Sequence, residues 1–141
     1  TVLDAPLDRR AAAAGLLGAA ERALDALDKA GTAPIQGVVR YAEAAPGPGL
    51  WLMDGPDDDA ACTTGQAAAG ATLVVLGTGR GTGFGSLPAP VVKVAASSTL
   101  FHRMEDDMDL DAGPVLEGAE TIEQAGARLL AGLLRHASGV P

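Results

Sequence analysis

The sequence predicts an α/β protein in which helices flank a mostly parallel sheet. Short runs of consecutive apolar residues recur along the chain, which is typical of strands that are buried on both faces of a parallel sheet. Around these runs, apolar residues recur at three- and four-residue spacing, the period of an amphipathic helix. Strands that alternate with helices in this way favour a three-layer, Rossmann-like architecture.

The first elements are a long helix and two strands. Leucines at helical spacing and the absence of proline predict a helix from Asp8 to near Gly31. Residues 35–41 form a moderately apolar segment that is compatible with a strand, and residues 50–53 read as a buried strand. Because Asp54 ends that strand, we expect it at the sheet edge where ligands bind in open parallel sheets.

The second half of the chain continues the alternation. Residues 57–71 begin with acids and end at a glycine, which predicts a helix, and residues 73–76 and 90–96 predict two further buried strands. Thr121 and Gln124 form a possible capping box at the start of a last helix. The spacing predicts that one face of this helix is apolar, with Ile122, Leu129, Leu130, Leu133 and Leu134.

Composition excludes several classes of protein. The chain has 141 residues and no visible repeat or long linker, so we expect one domain over residues 1–141. Its net charge is −8 and its 10 basic residues are dispersed, which argues against nucleic acid as a partner. The longest apolar stretch, residues 11–20, is about half of what a bilayer span requires, and one cysteine suits a reducing compartment. We therefore expect a cytoplasmic protein without a membrane partner.

A glycine-rich loop is the most informative stretch of the sequence. Glycine occupies every second position from Gly77 to Gly85, directly after the strand predicted over residues 73–76. Without side chains, the backbone N–H groups of such a loop can approach an anion closely. The loop lacks both the dinucleotide-binding glycine register and a Walker lysine, so nucleotide binding is disfavoured.

Arg80 lies alone in the middle of this loop. A guanidinium offers a planar fork of donors that matches a carboxylate, and neighbouring glycines leave its approach uncluttered. The alternative is a solvent-exposed arginine in a flexible loop. The residues that we expect to bind the substrate are those of the loop with donors or an open backbone: Thr78, Gly79, Arg80, Gly81, Thr82 and Ser86.

Two further groups of polar residues leave alternatives open. The acidic run of residues 105–111 could supply oxygen ligands to a divalent ion, through Asp107 and Asp109, or could be a solvated loop. His102 could be a ligand, a base or an ordinary surface residue. Lys93 interrupts an apolar strand, and its side chain is either paired or directed to solvent.

With these stretches described, the sequence resembles the altronate and galactarate dehydratase family of sugar-acid hydro-lyases. The resemblance covers about residues 20–137. It rests on three motifs in a fixed order: Met-Asp-x-Pro at residues 53–56, Thr-Gly-Arg-Gly-x-x-Phe-Gly-Ser at residues 78–86, and Asp-Met-Asp-x-Asp-Ala-Gly at residues 107–113.

The resemblance implies elimination of water from a hydroxy acid to give a 2-keto-3-deoxy acid, with ferrous iron or manganese as the divalent metal of the complete enzyme. It implies that this sequence corresponds to the carboxyl-terminal part of such an enzyme, which needs an amino-terminal portion or a partner subunit. The candidates for proton transfer are then His102 and Lys93, and those for metal contacts are Asp107 and Asp109. We also expect a homo-oligomer, and whether this chain alone binds metal stays open.

A second class of function is a ligand-binding or assembly module that keeps the scaffold without the chemistry. The turn after Asp54 lacks aromatic and proline features that the family usually has, and the loop has Gly83 where the family usually has a bulkier residue. Ligand binding without turnover would distinguish this module from an enzyme.

Overall fold

The computed structural model describes residues 2–5, 30–56 and 58–139. The Cα positions divide into two compact units, Thr1–Thr72 and Leu73–Pro141. The single domain predicted over residues 1–141 stays a prediction, and so does the helix predicted from Asp8 to near Gly31, which falls on residues outside the described ranges. No helix within these ranges combines the length and the apolar character that crossing a membrane requires.

The first unit is a parallel sheet with one described helix. Strands β1 (Val2–Ala5), β2 (Ile35–Arg40) and β3 (Leu50–Asp54) pair in the order β1-β3-β2, and both pairings are parallel. Helix α1 (Asp59–Ala68) follows β3. The strands predicted over residues 35–41 and 50–53 are confirmed to within a residue, whereas the sequence analysis did not predict β1.

Local chemistry explains where α1 begins and ends. The side chain of Asp58 accepts a hydrogen bond from the backbone N–H of Ala61 at 2.8 Å, so Asp58 is the N-cap. Gly70 follows the helix with a φ of 95°, a left-handed conformation that favours glycine after a helix end. The helix predicted over residues 57–71 is therefore confirmed in a shorter form. Asp57 itself lies outside the described residues.

Residues of β2 and β3 form the apolar core in the described part of the first unit. Met53 is fully buried, and Leu52 and Val39 are nearly so, as expected for a sheet covered on its apolar face. The phenol of Tyr41 donates a hydrogen bond to the carbonyl of Ala61 at 2.7 Å, and its ring lies where a side chain on Gly65 would be. A glycine at this helix position thus lets the end of β2 pack closely against α1.

The second unit is also a parallel sheet, and it carries the glycine-rich loop. Its strands are β4 (Val74–Thr78), β5 (Val91–Ala95) and β6 (Leu110–Asp111), which pair in the order β4-β5-β6. Its helices are α2 (Ser98–Arg103), α3 (Gly113–Leu116) and α4 (Ile122–Ala137). The α/β class with parallel strands and flanking helices is confirmed, with the described strands distributed over two sheets.

The capping box predicted at the start of α4 is present. The Thr121 hydroxyl accepts from the backbone N–H of Gln124 at 3.3 Å, and the Gln124 side chain accepts from the backbone N–H of Thr121 at 2.9 Å. The predicted apolar face of α4 is only partly correct. Small residues make the close contacts, because Ala125 is buried and a side chain on Gly132 would meet Leu110. Three residues of the predicted face are exposed: Ile122, Leu130 and Leu134.

Candidate functional site

The glycine-rich loop leaves the carboxyl end of β4, where ligands bind in open parallel sheets. Strand β4 runs on through Gly77 to Thr78, two residues further than the strand predicted over residues 73–76. The Thr78 carbonyl accepts from the backbone N–H of Ala96 at 3.0 Å, which ties the ends of β4 and β5 together. The loop of residues 79–90 and helix α2 therefore start from the same edge of the sheet.

Helix α2 and the residue that follows it pack against the loop at Gly81. Gly81 has a φ of 88°, and a side chain there would collide with Met104 and lie 3.0 Å from Leu100. Leu100 belongs to the core cluster of this unit, with Ala95 and Met108, and Met104 packs against that cluster. Gly81 is thus required both by its backbone conformation and by this close approach. Helix α2 was not predicted from the sequence.

The other glycines of the loop leave open space. A side chain added at Gly77, Gly79 or Gly85 would meet no atom within 4 Å. These positions keep the backbone accessible, which is the property that anion binding by N–H groups requires. The geometry is compatible with the predicted role of Gly79, which itself stays a prediction.

The polar side chains of the loop divide into two groups. Thr78 and Thr82 use their hydroxyls within the loop, accepting from the backbone N–H groups of Gly81 at 3.0 Å and Phe84 at 3.2 Å. The Arg80 side chain is exposed, and among the described residues its guanidinium has neither a hydrogen-bond nor an ion-pair partner. Ser86 is half-buried. The two threonines therefore stabilise the conformation of the loop, and the donors of the Arg80 guanidinium stay available.

Arg103 is a loop neighbour that the sequence analysis missed. Its Nη2 donates to the carbonyl of Arg80 at 3.1 Å. Arg103 is the last residue of α2, a six-residue helix that is too short to show a hydrophobic period, so the sequence carried no signal for this contact. His102, its neighbour, is exposed and packs edge-on against Phe101, with the ring centroids 5.9 Å apart.

Lys93 is paired, which decides between the two alternatives left open for it. Its Nζ lies 3.6 Å from Oδ1 of Asp107, and its side chain is only 13% exposed. The same carboxylate oxygen is 3.9 Å from where a side chain on Gly83 would begin. Two of the predicted site residues, Lys93 and Asp107, are thus in contact beside the glycine-rich loop.

Asp109 and Asp111 bind the backbone. Oδ2 of Asp109 accepts from the N–H of Lys93 at 2.7 Å, and Oδ1 of Asp111 accepts from the N–H of Gly113 at 2.8 Å. A side chain on Gly113 would collide with the backbone of Ser98. The run at residues 107–113, which includes β6 and leads into α3, is consequently held against β5 and the start of α2.

His136 of α4 is a second residue that the sequence analysis did not single out. Its Nε2 lies 3.8 Å from Oδ1 of Asp109, and its Nδ1 lies 2.9 Å from the carbonyl of Gly132. A carbonyl can only accept, so Nδ1 carries a proton and donates to it. His136 and Asp109 are 27 positions apart in the sequence, and no spacing links them.

The donor set does not by itself form a metal centre. Within the described ranges, no group of three or more histidine, cysteine, aspartate or glutamate side chains is arranged to hold an ion. Asp107 faces an ammonium group, and Asp109 accepts a backbone N–H and faces His136. A divalent ion would need ligands beyond these two carboxylates, and their metal role stays a prediction.

Arg128 of α4, unlike Arg80, has partners for its guanidinium within the chain. Its Nε and Nη2 donate to the two carboxylate oxygens of Glu120 at 3.1 and 2.6 Å, and Nη2 also donates to the carbonyl of Asp111 at 2.7 Å. The hydrogen bond from Arg128 holds the pKa of Glu120 below its ordinary value, partial burial opposes this effect, and Coulombic attraction reinforces it. The pair joins α4 to β6 and is structural.

Comparison with known proteins agrees with the motifs. The family model described as D-galactarate/altronate dehydratase, C-terminal, matches residues 10–141. Galactarate dehydratase (L-threo-forming) of Escherichia coli is 38% identical over 125 residues, which are 89% of this chain and 24% of that enzyme. Altronate dehydratase of Escherichia coli is 37% identical over 106 residues, 75% of this chain and 21% of that enzyme.

A relative named for a different activity has a similar identity to this chain. The β subunit of (2R)-sulfolactate sulfo-lyase from Chromohalobacter salexigens is 36% identical over 126 residues, 89% of this chain and 32% of that subunit. The chain therefore spans between 21% and 32% of the length of these three curated relatives. Because the family model covers almost all of the sequence, the chain belongs to the D-galactarate/altronate dehydratase family and corresponds to the C-terminal domain of its members.

Proposed function

We propose that this chain is the C-terminal domain of a hydro-lyase that eliminates water from a sugar acid of the altronate or galactarate type, and that its glycine-rich loop binds the substrate carboxylate. The observation that supports this role is the state of Arg80, whose backbone is held while its guanidinium is exposed and unpaired within the described part of the chain. Galactarate and altronate are carboxylates, the group that a guanidinium fork recognises.

Removal of a proton from the carbon beside a carboxylate makes the need for a cation clear. As the proton leaves, negative charge develops on the carboxylate in an enolate-like arrangement, and hydroxide then departs from the neighbouring carbon. In the proposed complex, Arg80 donates two parallel hydrogen bonds to that carboxylate, and the N–H groups of the loop face the same charge. The loop thus binds the growing charge more tightly than the ground state.

Proton transfer is the second requirement, since one group must remove the proton and another must protonate the departing hydroxide. Lys93 is one candidate, because its ammonium group faces Asp107, whose carboxylate lies beside Gly83 of the loop. His102 is the other candidate, exposed on α2 next to Arg103. We propose Lys93 as the group closer to the substrate.

Other parts of the enzyme complete the site in this proposal. The relatives are at least three times longer than the matched segment, so we propose that an amino-terminal portion or a partner subunit supplies the remaining acid–base groups and most metal ligands. Iron or manganese belongs to that complete enzyme, where it would stabilise charge as a Lewis acid. Asp107 would add at most one ligand from this chain.

The apolar surface of α4 supports a further contact. Ile122, Leu130 and Leu134 are all more than half exposed on this helix. We propose that the rest of the enzyme or a second copy covers them. Light scattering of the chain over a range of concentrations would show self-association as a rising mass, and a constant monomer mass would contradict the homo-oligomer.

The test of the proposed function is carboxylate binding by Arg80. Galactarate is titrated into the chain by calorimetry, with Arg80→Lys as the variant and Arg40→Lys, an exposed arginine of the first unit, as the matched control. Lysine keeps the charge but loses the fork, so we expect a loss of about 1.5–3 kcal/mol, or about tenfold to a hundredfold in affinity. Equal affinities of wild type and Arg80→Lys would contradict the proposal.

Turnover separates the enzyme from the binding module. The chain is mixed with an Escherichia coli galactarate dehydratase from which the matching segment has been deleted, and formation of the 2-keto-3-deoxy acid is measured with added ferrous or manganous ion. Product that depends on the chain supports the hydro-lyase. Galactarate binding without product would favour a ligand-binding module on the same scaffold.

A further inference from the structure

The peptide group between Arg80 and Gly81 is held from both sides. Its carbonyl accepts from Nη2 of Arg103 at 3.1 Å, and its N–H donates to the hydroxyl of Thr78 at 3.0 Å. A peptide group is planar and rigid, so bonds at its two opposite ends fix the orientation of the whole plane. This plane sets ψ of Arg80 and φ of Gly81, the two angles on either side of the peptide group.

Arg103 acts from a rigid support. Helix α2 is capped by Ser97, whose hydroxyl accepts from the N–H of Leu100 at 3.3 Å, and Leu100 is buried in the core of the unit. Met104, which follows Arg103, lies directly under Gly81. The side chain of Arg103 and the apolar contact beneath Gly81 therefore come from one element and hold the same turn of the loop.

We propose that Arg103 is a positioning residue for substrate binding: it orients the Arg80–Gly81 peptide so that Arg80 presents its guanidinium to the carboxylate. The inference rests on the proposed function. Arg80 lies between two glycines, so without this support its backbone would sample many conformations. Restricting that backbone to one conformation on binding would then lower the affinity for the substrate. Thr78 has the same role at the other end of the peptide, without any charge.

Arg103 and Thr78 hold the same peptide group, but only Arg103 is charged, so variants of the two residues separate positioning from charge. Arg103→Gln removes the charged donor, Arg103→Lys keeps the charge, and Thr78→Val removes the acceptor without changing the charge. The readouts are the affinity for galactarate by calorimetry and the amide shift and solvent exchange of Gly81 by ¹H–¹⁵N NMR. Arg40→Gln in the first unit is the control for the loss of one positive charge.

We expect Arg103→Gln and Thr78→Val each to weaken galactarate binding by about tenfold, since each removes one hydrogen bond that fixes the peptide. Both should shift the Gly81 amide and speed its exchange, Arg103→Lys should restore part of the affinity, and Arg40→Gln should change neither readout. Circular dichroism spectra that match wild type would show that the variants are folded.

Each other outcome identifies what fails. A weaker Arg103→Gln with an unchanged Gly81 amide and a normal Thr78→Val would mean that Arg103 acts only through its charge, which overturns the positioning role. Normal affinity in both variants, with weak binding by Arg80→Lys, overturns it as well and leaves the proposed function standing. If wild type itself binds no galactarate, the proposed function fails and this role fails with it.

Discussion

The two motifs of the second unit, the loop at residues 78–86 and the run at residues 107–113, are used in different ways. In the run, the carboxylates of Asp109 and Asp111 accept backbone N–H groups, and Gly113 fits against the backbone of Ser98. In the loop, the threonines bind the backbone, but Arg80 has its guanidinium in solvent.

The difference shows how to separate structural from binding residues within one motif. A polar side chain whose hydrogen-bonding capacity is used inside the chain stabilises the fold, because breaking that bond leaves a donor or acceptor unsatisfied. A polar side chain whose backbone is fixed while its charge stays exposed is a candidate for ligand binding. By this criterion Asp109 and Asp111 in the run at residues 107–113 are structural, whereas Arg80 keeps its predicted role as the carboxylate-binding residue of the loop.

The largest expected effect on this comparison comes from Gly113→Ala. The added Cβ would collide with the backbone of Ser98, and backbone cannot move aside as a flexible side chain can. We expect a loss of about 3 kcal/mol in the free energy of unfolding, measured by urea denaturation. Gly85→Ala is the matched control in the loop, where a side chain meets no atom within 4 Å. Equal stability of the two variants would contradict the close packing at Gly113.

Asp109→Ala should have a smaller effect that separates stability from binding. It removes the acceptor for the N–H of Lys93 and the carboxylate that faces His136, so we expect a loss of about 1–2 kcal/mol in unfolding free energy. The affinity for galactarate should stay within about twofold of wild type, a change of under half a kcal/mol. The reason is that Asp109 contacts Lys93 and His136 rather than the loop. Wild-type stability combined with lost galactarate binding would instead place Asp109 among the ligand-binding residues.

The smallest expected effect concerns the acid side of the stability curve. The pKa of Glu120 is lowered in the folded chain, chiefly by its hydrogen bond with Arg128. A lowered folded-state pKa contributes stability that is present above the unfolded-state pKa and is lost as the pH falls through the folded-state value. As the pH falls from the ordinary glutamate pKa through the lower folded-state pKa, the unfolding midpoint of wild type should therefore fall more steeply than that of Glu120→Gln.

Glu123 of α4 also has a lowered pKa, mainly through a backbone hydrogen bond at the start of the helix, and contributes with the same sign. The comparison with Glu120→Gln removes this shared part, since Glu123 is present in both proteins. Parallel pH profiles of wild type and Glu120→Gln would show that the pair with Arg128 adds no pH-dependent stability.

The elements that could be predicted were those with a strong local signal. Strands β3 and β4 each contain a continuous apolar run, β5 is apolar except for Lys93, and α4 begins at a capping box whose two hydrogen bonds both form. A loop was expected over residues 77–85 from its glycines, and β4 in fact continues through Thr78 before the loop begins. Helices α2 and α3 were missed because six and four residues are too few to show a period.

The candidate site divides along the same line. Arg80 could be singled out by its position among glycines after a strand, a purely local pattern. Arg103 and His136 could not, because each contacts its partner across a distance in sequence that no motif spans. The buried face of α4 was misjudged for a related reason. The leucines suggested it, but Ala125 and Gly132 allow the close approach.

Local sequence patterns were enough to predict the α/β class, strands β2 to β5, helices α1 and α4, and the family, because apolar runs, caps and motifs are read directly from neighbouring residues. Which polar groups already have a partner could be learned from packing alone. Packing pairs Lys93 with Asp107 and places the Asp109 carboxylate against the backbone N–H of Lys93. It leaves the Arg80 guanidinium without a partner in the described ranges. The physical reason is that a hydrogen bond depends on distance in space, which packing alone sets for residues far apart in the chain.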